Sequence, residues 1–369
     1  MMRIEEYILQ GKFQPDWEGF LENIQGKRLP RRVHFAELLV DPEIVAAFGE
    51  RYLNVEVAPH PGDPKRAIER YVSFFSRLGY DYCLLVDVPG LTLQFPGRSR
   101  VGEDMALLSR GERTWVEEGR GIIASFADLE RYPWPRVENF DFSLYEYLVS
   151  LLPEGMGLLV NACGGIFETV SENLLGLEGF SYLLYDEPEL VVAVFQQVGE
   201  ILLHFYRTLL DLPGVVGVFQ GDDLGYKTST FVSPQVLRQF VLPWHGKLSS
   251  LCHARGKCYF LHSCGMILPL MEEFIEEVQI DAFHSFQEEI FPVTAFKARY
   301  GHRVGVLGGV DVDYLACFEE TKLRRYVRSV LEAGMQGGRY ALGSGNSVAN
   351  YIPLQNYLIM LDEGLQFSV

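Results

Sequence analysis

The sequence predicts an α/β fold: a single (β/α)₈ TIM barrel with an N-terminal helical segment and a hairpin-containing insertion after the second strand. Two observations support this prediction. Eight short runs rich in β-branched or aromatic residues have the continuous apolar character of parallel strands that are buried on both faces. Helical patterns separate most of these runs, and alternating strands and helices are typical of a barrel. We therefore expect residues 1–369 to form one domain.

The eight predicted strands are bounded by clear changes in pattern. They lie at residues 32–38, 82–88, 157–163, 215–221, 257–263, 282–286, 303–309 and 339–345. Between them, apolar residues three and four apart predict helices within 188–210, 266–278 and 319–334. Ser233 followed by Pro234 is typical of a helix start, and the glycine pair at 337–338 is typical of a helix end.

One connection is much longer than an ordinary strand-to-helix loop. Residues 89–156 separate the second and third predicted strands. Within them, MALLSRGERTWVEEGRGIIASF (105–126) alternates and turns at SRGE and EGRG, which predicts a hairpin or small meander. We expect this insertion to cover one end of the barrel.

Composition restricts the classes of partner. The formal net charge is −17, from 32 basic and 49 acidic residues, which disfavours nucleic acid and anionic membranes as partners. No apolar stretch approaches the length of a membrane span, and the N-terminal residues lack signal-peptide character. The six scattered cysteines suit free thiols or metal ligands better than disulfides. We expect a cytoplasmic protein that acts on a small molecule.

Polar residues follow nearly every predicted strand. In a barrel, the C-terminal ends of the strands carry the loops that assemble catalytic groups, so we expect these residues to share one rim. They are Glu37, Asp87, Cys163, Asp222, Asp223, His262, Cys264, His284, Gln287, Asp311 and Ser344.

The segment LHSCG (261–265) is the strongest indication of a metal site. His262 and Cys264 are two residues apart at the end of a strand, so their side chains project from the same side and one zinc ion could engage both. The competing interpretation is an ordinary pair of core residues. Asp223 is either a ligand or general acid/base aimed at the same pocket, or, like Asp222, a turn or cap residue.

The remaining candidates also have two interpretations each. Glu37 and Asp87 are functional carboxylates or members of structural ion pairs, and Cys163 and His284 are site or core residues. The glycine-rich LGSGNS (342–347) offers backbone amides, at Gly343, Ser344 and Gly345, that could bind an anion. The sequence lacks a G-x-S-x-G elbow, a P-loop and a G-x-G-x-x-G after a strand, which disfavours serine hydrolase, ATP and hydride-transfer chemistry.

Six motifs distributed over nearly the whole chain resemble the uroporphyrinogen decarboxylase superfamily, which includes zinc-dependent, corrinoid-linked methyltransferases. The motifs are RVHFAELLVDPE (32–43), FADLERYPWP (126–135), GDDLGYKTSTFVSPQVLRQFVLPW (221–244), HARGKCYFLHSCG (253–265), RVGVLGGVD (303–311) and ALGSGNSVANYIPLQNY (341–357). The resemblance implies a single barrel with a cleft at its C-terminal face.

The resemblance to the methyltransferases implies that His262 and Cys264 bind zinc. Those enzymes have a third cysteine ligand where this chain has Ser344, so Glu37, Asp223, Cys163 or His284 must complete the site. The implied reaction moves a methyl group from a corrinoid, or another donor, to a thiol-type acceptor, with a corrinoid protein as a candidate partner. We expect Asp223, Glu37 and Asp87 to be catalytic, with Asp223 also the third metal ligand. We expect the substrate-binding residues to be Gly343, Ser344, Gly345, Asp222, His284 and Gln287.

Two alternatives stay open at this point. One is a decarboxylase of the uroporphyrinogen type in which Asp87 orients pyrrole N–H groups. This chain lacks the arginine-rich segment that follows the first strand in those enzymes, and Ser344 stands where they have a histidine. The other alternative is a non-catalytic corrinoid- or metal-binding protein whose site has degenerated at Ser344.

Overall fold

A parallel β-sheet surrounded by helices is the centre of the fold in this computed structural model, which describes residues 3–54, 62–86, 88–117 and 119–369. Seven strands form that sheet in the order β1-β4-β5-β6-β7-β8-β9, and β2 and β3 form a separate antiparallel pair. In the described residues the strands are β1 (Tyr82–Cys83), β2 (Ser99–Glu103), β3 (Glu112–Val116), β4 (Gly157–Val160), β5 (Val215–Gly221), β6 (Cys258–His262), β7 (Ala282–His284), β8 (Gly305–Leu307) and β9 (Tyr340–Ala341).

The sheet curls around a single interior. Every one of its seven strands contributes at least one buried side chain to the same inner cluster, and so does the segment at 36–38. The members of this cluster from the sheet and that segment are Ala36, Leu38, Tyr82, Leu84, Leu159, Val216, Phe219, Cys258, Phe260, Ala282, Leu307 and Ala341. Opposite strands meet at one core, so the prediction of an α/β fold with a TIM-barrel-like curled parallel sheet is confirmed.

The first predicted strand, 32–38, is not a regular strand. It joins the sheet through a single parallel bridge between Phe35 and Leu342, in which the amide of Ala36 donates to the Leu342 carbonyl at 2.8 Å. On its other side the Tyr82 hydroxyl contacts both the amide and the carbonyl of Glu37, at 2.8 Å each. The Tyr82 hydroxyl thus makes the hydrogen bonds that the backbone of β1 would make with a regular neighbouring strand. The sheet therefore has seven strands where eight were predicted.

The helices lie outside the sheet, with one exception. Helix α2 (Trp17–Ile24) follows α1 (Arg3–Gln10) and places Phe20 and Ile24 in the inner cluster. The Asn23 side chain of the same helix donates to the Tyr340 carbonyl at 2.8 Å, next to the start of β9. Helix α2 therefore closes the N-terminal end of the sheet interior.

Two of the three predicted helical stripes are regular helices, and the third is not. The stripes at 188–210 and 319–334 correspond to the helices Pro188–Leu210 and Glu320–Gly334, whereas 266–278 breaks into 3₁₀, α and π segments. The other helices are α3 (Pro42–Phe48), α4 (Pro64–Leu78), α5 (Phe126–Arg131), α6 (Ser143–Leu151), α7 (Ile166–Glu168), α8 (Leu177–Asp186), α9 (Pro188–Leu210), α10 (Pro234–Phe240), α11 (Leu242–His253), α12 (Met271–Glu273), α13 (Val293–Tyr300), α14 (Val312–Cys317), α15 (Glu320–Gly334) and α16 (Leu354–Gln366). The π segments are Gly49–Leu53, Thr169–Leu174 and Phe274–Val278, and the 3₁₀ segments are Val137–Asn139 and Leu268–Leu270.

The long connection after β1 contains the β2–β3 hairpin. Its first strand begins at Ser99, earlier than the predicted segment 105–126, and its second strand ends before EGRG. The Arg110 guanidinium contacts the carboxylates of Asp41 and Glu43, at 3.3 and 2.9 Å. These two carboxylates follow the first segment of the sheet, so the contacts attach the hairpin beside the C-terminal strand ends.

Two smaller observations bear on the sequence-based expectations. All six cysteines are free. Among the described residues, none of the helices combines the length and apolar character that crossing a membrane requires.

The contact between the first segment and β9 gives a testable prediction. A Cβ atom at position 343 would lie 1.7 Å from the Ala36 carbonyl oxygen, so Gly343→Ala forces two backbones apart. Because backbone cannot move aside as a side chain can, we expect the free energy of unfolding, measured by urea denaturation, to fall by about 1–3 kcal/mol or more.

The matched control is Gly246→Ala within α11, where a Cβ atom would meet nothing within 4 Å. We expect this change to be neutral or to stabilise by up to about 1 kcal/mol, because alanine is the better helix former. Equal stability of the two variants would contradict the close contact between Gly343 and Ala36.

Candidate metal centre

A carboxylate, an imidazole and a thiol converge at the C-terminal ends of β5 and β6. The side chains of Asp223, His262 and Cys264 each offer a ligand atom, and these atoms all lie within 4.8 Å of one another. His262 Nε2 is 3.5 Å from Cys264 Sγ and 3.4 Å from Asp223 Oδ1. These are the three residues that the sequence predicts as metal ligands, and the fold brings them together.

The pairing of β5 with β6 explains this convergence. Gly221 pairs with His262 in the parallel register, so Asp223 and Cys264, each two residues further on, lie at the same height. The Cys264 amide also donates to Asp223 Oδ1 at 2.8 Å, which fixes the two loops to each other. Gly265 has φ +80°, and a Cβ atom there would lie 2.3 Å from the backbone of Gly225, so the close approach of the loops requires glycine.

His284 determines which nitrogen of His262 faces the other ligands. His284 is 1% exposed, its Nε2 lies 3.0 Å from the Ser344 carbonyl, and its Nδ1 lies 2.6 Å from His262 Nδ1. Burial and the neighbouring His262 ring lower the pKa of His284 to about 3, so this imidazole is neutral and carries one proton. The carbonyl can only accept, which assigns that proton to Nε2 and leaves Nδ1 to accept from His262.

The consequence is the orientation of His262. With its Nδ1–H donated to His284, the ring directs Nε2 toward Asp223 and Cys264, so Nε2 is the nitrogen that would bind a metal. A ligating histidine whose second nitrogen donates to a buried partner is the usual arrangement around a protein-bound metal. Nitrogen, sulfur and carboxylate oxygen are also the donor types that zinc takes. The residues therefore fit a zinc ion.

The charges in this site also suit a cation. Burial would raise the pKa of Asp223, but hydrogen bonds from His262 and from the Cys264 amide outweigh burial and lower it. Burial and the Asp223 carboxylate raise the pKa of the Cys264 thiol well above its ordinary value. The Asn346 side-chain amide donates to Cys264 Sγ at 3.2 Å, which holds the sulfur in place. A bound cation would reverse the effect on the thiol, because metal coordination favours thiolate.

Glu168 is a further carboxylate at this site that the sequence analysis missed. It ends α7 and is half-buried, and its side chain accepts a hydrogen bond from the Asp223 backbone. Burial and the carboxylates of Asp223 and Asp222 raise its pKa well above its ordinary value. The Gly164–Gly165 turn after β4 was the available signal, since glycines there allow the chain to turn back toward β5.

Asp222 supports the site from inside the protein. It is 0% exposed, and its carboxylate accepts from the amides of Phe167 (3.0 Å) and Glu168 (3.1 Å) at the start of α7. His245 Nε2 lies 2.9 Å from the same carboxylate, and His245 Nδ1 contacts the Tyr259 hydroxyl at 2.7 Å. All of the contacts that the structure gives this side chain lie inside the protein, which favours a positioning role over the predicted substrate contact.

Glu37 and Ser344 form a buried pair beneath the site. Ser344 donates to Glu37 through its amide at 2.8 Å and through its hydroxyl at 2.5 Å, and both residues are 0% exposed. Burial raises the pKa of Glu37 to about 8, against the lowering effect of the Ser344 hydrogen bonds. This pair joins the first segment of the sheet to the loop after β9.

The same contacts use two of the three amides that the sequence predicts for anion binding, those of Ser344 and Gly345. The Ser344 amide donates to Glu37, and the Gly345 amide donates to the Val310 carbonyl at 2.6 Å. The loop continues the pairing of the strands, and a Cβ atom at Gly345 would lie 2.2 Å from the Phe286 carbonyl. These two amides are therefore used within the fold.

A cleft of about 410 Å³ opens beside Cys264. Gln287, Asp311 and Gly265 line it, together with Lys227 and Glu289 from the neighbouring loops. Asp311 also caps α14 by accepting from the Asp313 amide at 3.0 Å. Cys163 lies apart from the three ligands, where its sulfur contacts Thr169 at 3.6 Å. Asp87 lies outside the described residues.

Comparisons with known proteins agree with this architecture. A family profile described as uroporphyrinogen decarboxylase (URO-D) matches residues 122–364. A solved methyltransferase from Methanosarcina mazei is similar with a TM-score of 0.69 and 15% identity, over 95% of this chain and 98% of its own. A putative vitamin-B12-independent methionine synthase from Listeria monocytogenes has a TM-score of 0.48 and 12% identity, over 92% of this chain and 96% of its own. At such identity the first likeness shows the fold, and no curated protein matches the chain.

The buried Glu37 gives a pH-dependent prediction. Its folded-state pKa of about 8 lies above the ordinary 4.5, so the folded protein holds a proton that the unfolded chain has released between these values. Stability should therefore fall as pH rises from about 5 to about 8.5 and be lowest above the folded pKa. We expect this decrease in the free energy of unfolding to be on the order of a few kcal/mol in the wild type. It should be absent in Glu37→Gln when both proteins are compared by urea denaturation at a series of pH values.

Glu178→Gln is the control, because it removes an exposed carboxylate from α8. We expect its pH profile to follow that of the wild type. A Glu37→Gln profile that also follows the wild type would show that Glu37 does not hold the proton.

Proposed function

The chain belongs to the uroporphyrinogen decarboxylase (URO-D) family, and on that premise we propose that it is a zinc-dependent methyltransferase that moves a methyl group to a thiol-type acceptor. The methyl donor in this proposal is a corrinoid or another methylated compound. A corrinoid protein is the proposed macromolecular partner, and the net charge of −17 disfavours nucleic acid and anionic membranes.

One observation carries the proposal. Three donor atoms, from Asp223, His262 and Cys264, lie within 4.8 Å of one another, and Cys264 also lines the cleft. Hydrogen bonds from the neighbouring residues lower the pKa of Asp223, so its carboxylate is charged and suited to a cation. A divalent cation such as zinc takes oxygen, nitrogen and sulfur donors of these kinds.

Zinc bound by these ligands would take up the acceptor's sulfur and lower the pKa of its thiol, because coordination favours thiolate. The residues of the chain hold and orient the reactants. Asp223 acts as a ligand, Asn346 fixes the sulfur of Cys264, and Gln287 lines the cleft where the acceptor would lie. The thiolate forms the new sulfur–carbon bond, while the electron pair of the broken bond stays with the donor.

Glu37 takes a supporting role in this proposal. It is 0% exposed and bound to Ser344, so it does not reach the cleft. Through Ser344 it holds the carbonyl that accepts from His284, and through His284 it acts on the orientation of His262. Its predicted catalytic role thereby becomes a positioning role.

The charge around the cleft disfavours the decarboxylase alternative. Asp311, Asp313 and Glu289 line the cleft, and Lys227 is the one basic residue among the described lining residues. Lys227 is already bound to Glu289. A substrate carrying many carboxylates would be repelled by such a surface.

Cys264→Ser tests the metal and the reaction together. We expect about one zinc ion per wild-type chain, measured by mass spectrometry of protein purified without added zinc, and loss of most of it in the variant. Methyl transfer from methylcobalamin to a panel of thiols should be lost in parallel.

Cys317→Ser is the matched control, because Cys317 is exposed and is not one of the three ligands. It should keep the zinc content and activity of the wild type. Equal zinc in the wild type and Cys264→Ser would contradict the metal centre. Metal-independent turnover of uroporphyrinogen would instead favour the decarboxylase.

A second variant tests the orientation of His262. His284→Phe keeps a buried ring but removes the acceptor for His262 Nδ1–H, so zinc affinity should fall about 10- to 100-fold, measured by competition with a chromogenic chelator.

His284→Gln should retain more affinity than His284→Phe, because its amide oxygen can accept the same hydrogen bond. Equal zinc affinity in both variants and the wild type would show that His284 does not orient the ligand.

A further inference from the structure

A second pocket lies at the opposite end of the strands from the metal centre. Its volume is about 400 Å³, and it lies between α13, the end of α15 and the turn that leads into β9. Lys297, Arg339 and His302 line it, with Thr294 and Gln336. None of the described residues that line the pocket is acidic. In a chain with a net charge of −17, a pocket whose charged lining residues are all basic is unexpected.

Lys297 is a buried cation without a counter-charge. Its side chain is 8% exposed, and its ammonium group donates to the Gly338 carbonyl. Among the described residues, no carboxylate lies within 4 Å of the ammonium of Lys297 or the guanidinium of Arg339, so neither forms an ion pair. Lysine is almost never fully buried unless it is paired. The hydrogen bond satisfies the donor but leaves the positive charge uncompensated.

A second cation makes the imbalance larger. Burial lowers the pKa of Lys297 to about 8, and the neighbouring Arg339 guanidinium adds to this effect. Two like charges at one pocket repel each other, and low dielectric surroundings strengthen the repulsion. An anion bound in the pocket would remove that repulsion.

The backbone of the turn sets this arrangement. Gly337, Gly338 and Arg339 have φ of +73°, +71° and +56°, so three successive residues are left-handed. This conformation is uncommon for a residue other than glycine, and it is found where surrounding structure requires it. Here the Arg339 amide donates to Asn23 at 2.9 Å, which holds the turn against α2.

We propose that this pocket binds the dianionic phosphate group of a small molecule. Two positive charges match one dianion, and arginine and lysine are the side chains that most often recognise phosphate. The volume exceeds that of a phosphate ion and leaves room for a small organic group. The site is separate from the metal centre and does not depend on the proposed methyl transfer.

The bound ligand would stabilise the fold and would not take part in a reaction. It would join α13 and α15 to the turn before β9, and would stabilise the folded state in proportion to its occupancy. Inorganic phosphate and a phosphate monoester share the required group, and tighter binding of the ester would assign the pocket to esters.

The test uses the full chain at about pH 7.5, where phosphate is largely dianionic. Thermal denaturation is followed with inorganic phosphate, with glycerol 3-phosphate, and with sodium chloride at matched ionic strength. Both phosphates should raise the Tm of the wild type beyond the effect of chloride. In Gln336→Glu, which supplies an internal carboxylate, the apparent Kd from calorimetry should rise at least about tenfold.

Gln197→Glu is the control, because it makes the same charge change at an exposed position of α9 outside the pocket. It should bind phosphate as the wild type does. Equal weakening in both variants, or a wild-type shift no larger than that of chloride, would overturn the proposal.

Lys297→Met provides a second readout. Replacing an unpaired buried charge by an apolar side chain should leave stability equal or higher without phosphate. The Tm of this variant should no longer respond to phosphate. A response equal to that of the wild type would overturn the proposed role of Lys297.

Discussion

The parallel register of three neighbouring strands is the constraint on which the candidate metal centre depends. Gly221 of β5 pairs with His262 of β6, and His262 pairs with His284 of β7. Parallel pairing places partners at equal height, so the two imidazoles lie side by side, and Asp223 and Cys264 meet one level above. A shift of one residue in β6 would turn both of its ligands to the other face of the sheet.

The parts of the candidate site that depend on local periodicity can be predicted from the sequence alone. Alternation within one strand placed His262 and Cys264 on the same side, and strand order placed Asp223 beside them. The pairing of Glu37 with Ser344 cannot be predicted in this way, because contacts between the first and last strands arise only when the sheet closes. Glu168 was missed for a related reason: it ends a one-turn helix whose position is fixed by hydrogen bonds to Asp222.

The polar groups behind the ligands form two connected systems. One runs from Glu37 through Ser344 and His284 to His262, and the other links Asp222 to His245 and Tyr259. Buried polar groups are tolerated where each has a partner, and such networks restrict side chains to one arrangement. Residues that were predicted to bind substrate thus hold other side chains in position. Strand ends carry both substrate-binding residues and such supporting residues, so position in the sequence does not distinguish them.

Helix α2 has a consequence for how molecules reach the centre. Phe20 and Ile24 fill the interior at the N-terminal end, and the side chains of the strands fill the space above them. The N-terminal end of the described barrel is thus closed by side chains, and the cleft beside Cys264 lies on the side from which small molecules would approach the three residues.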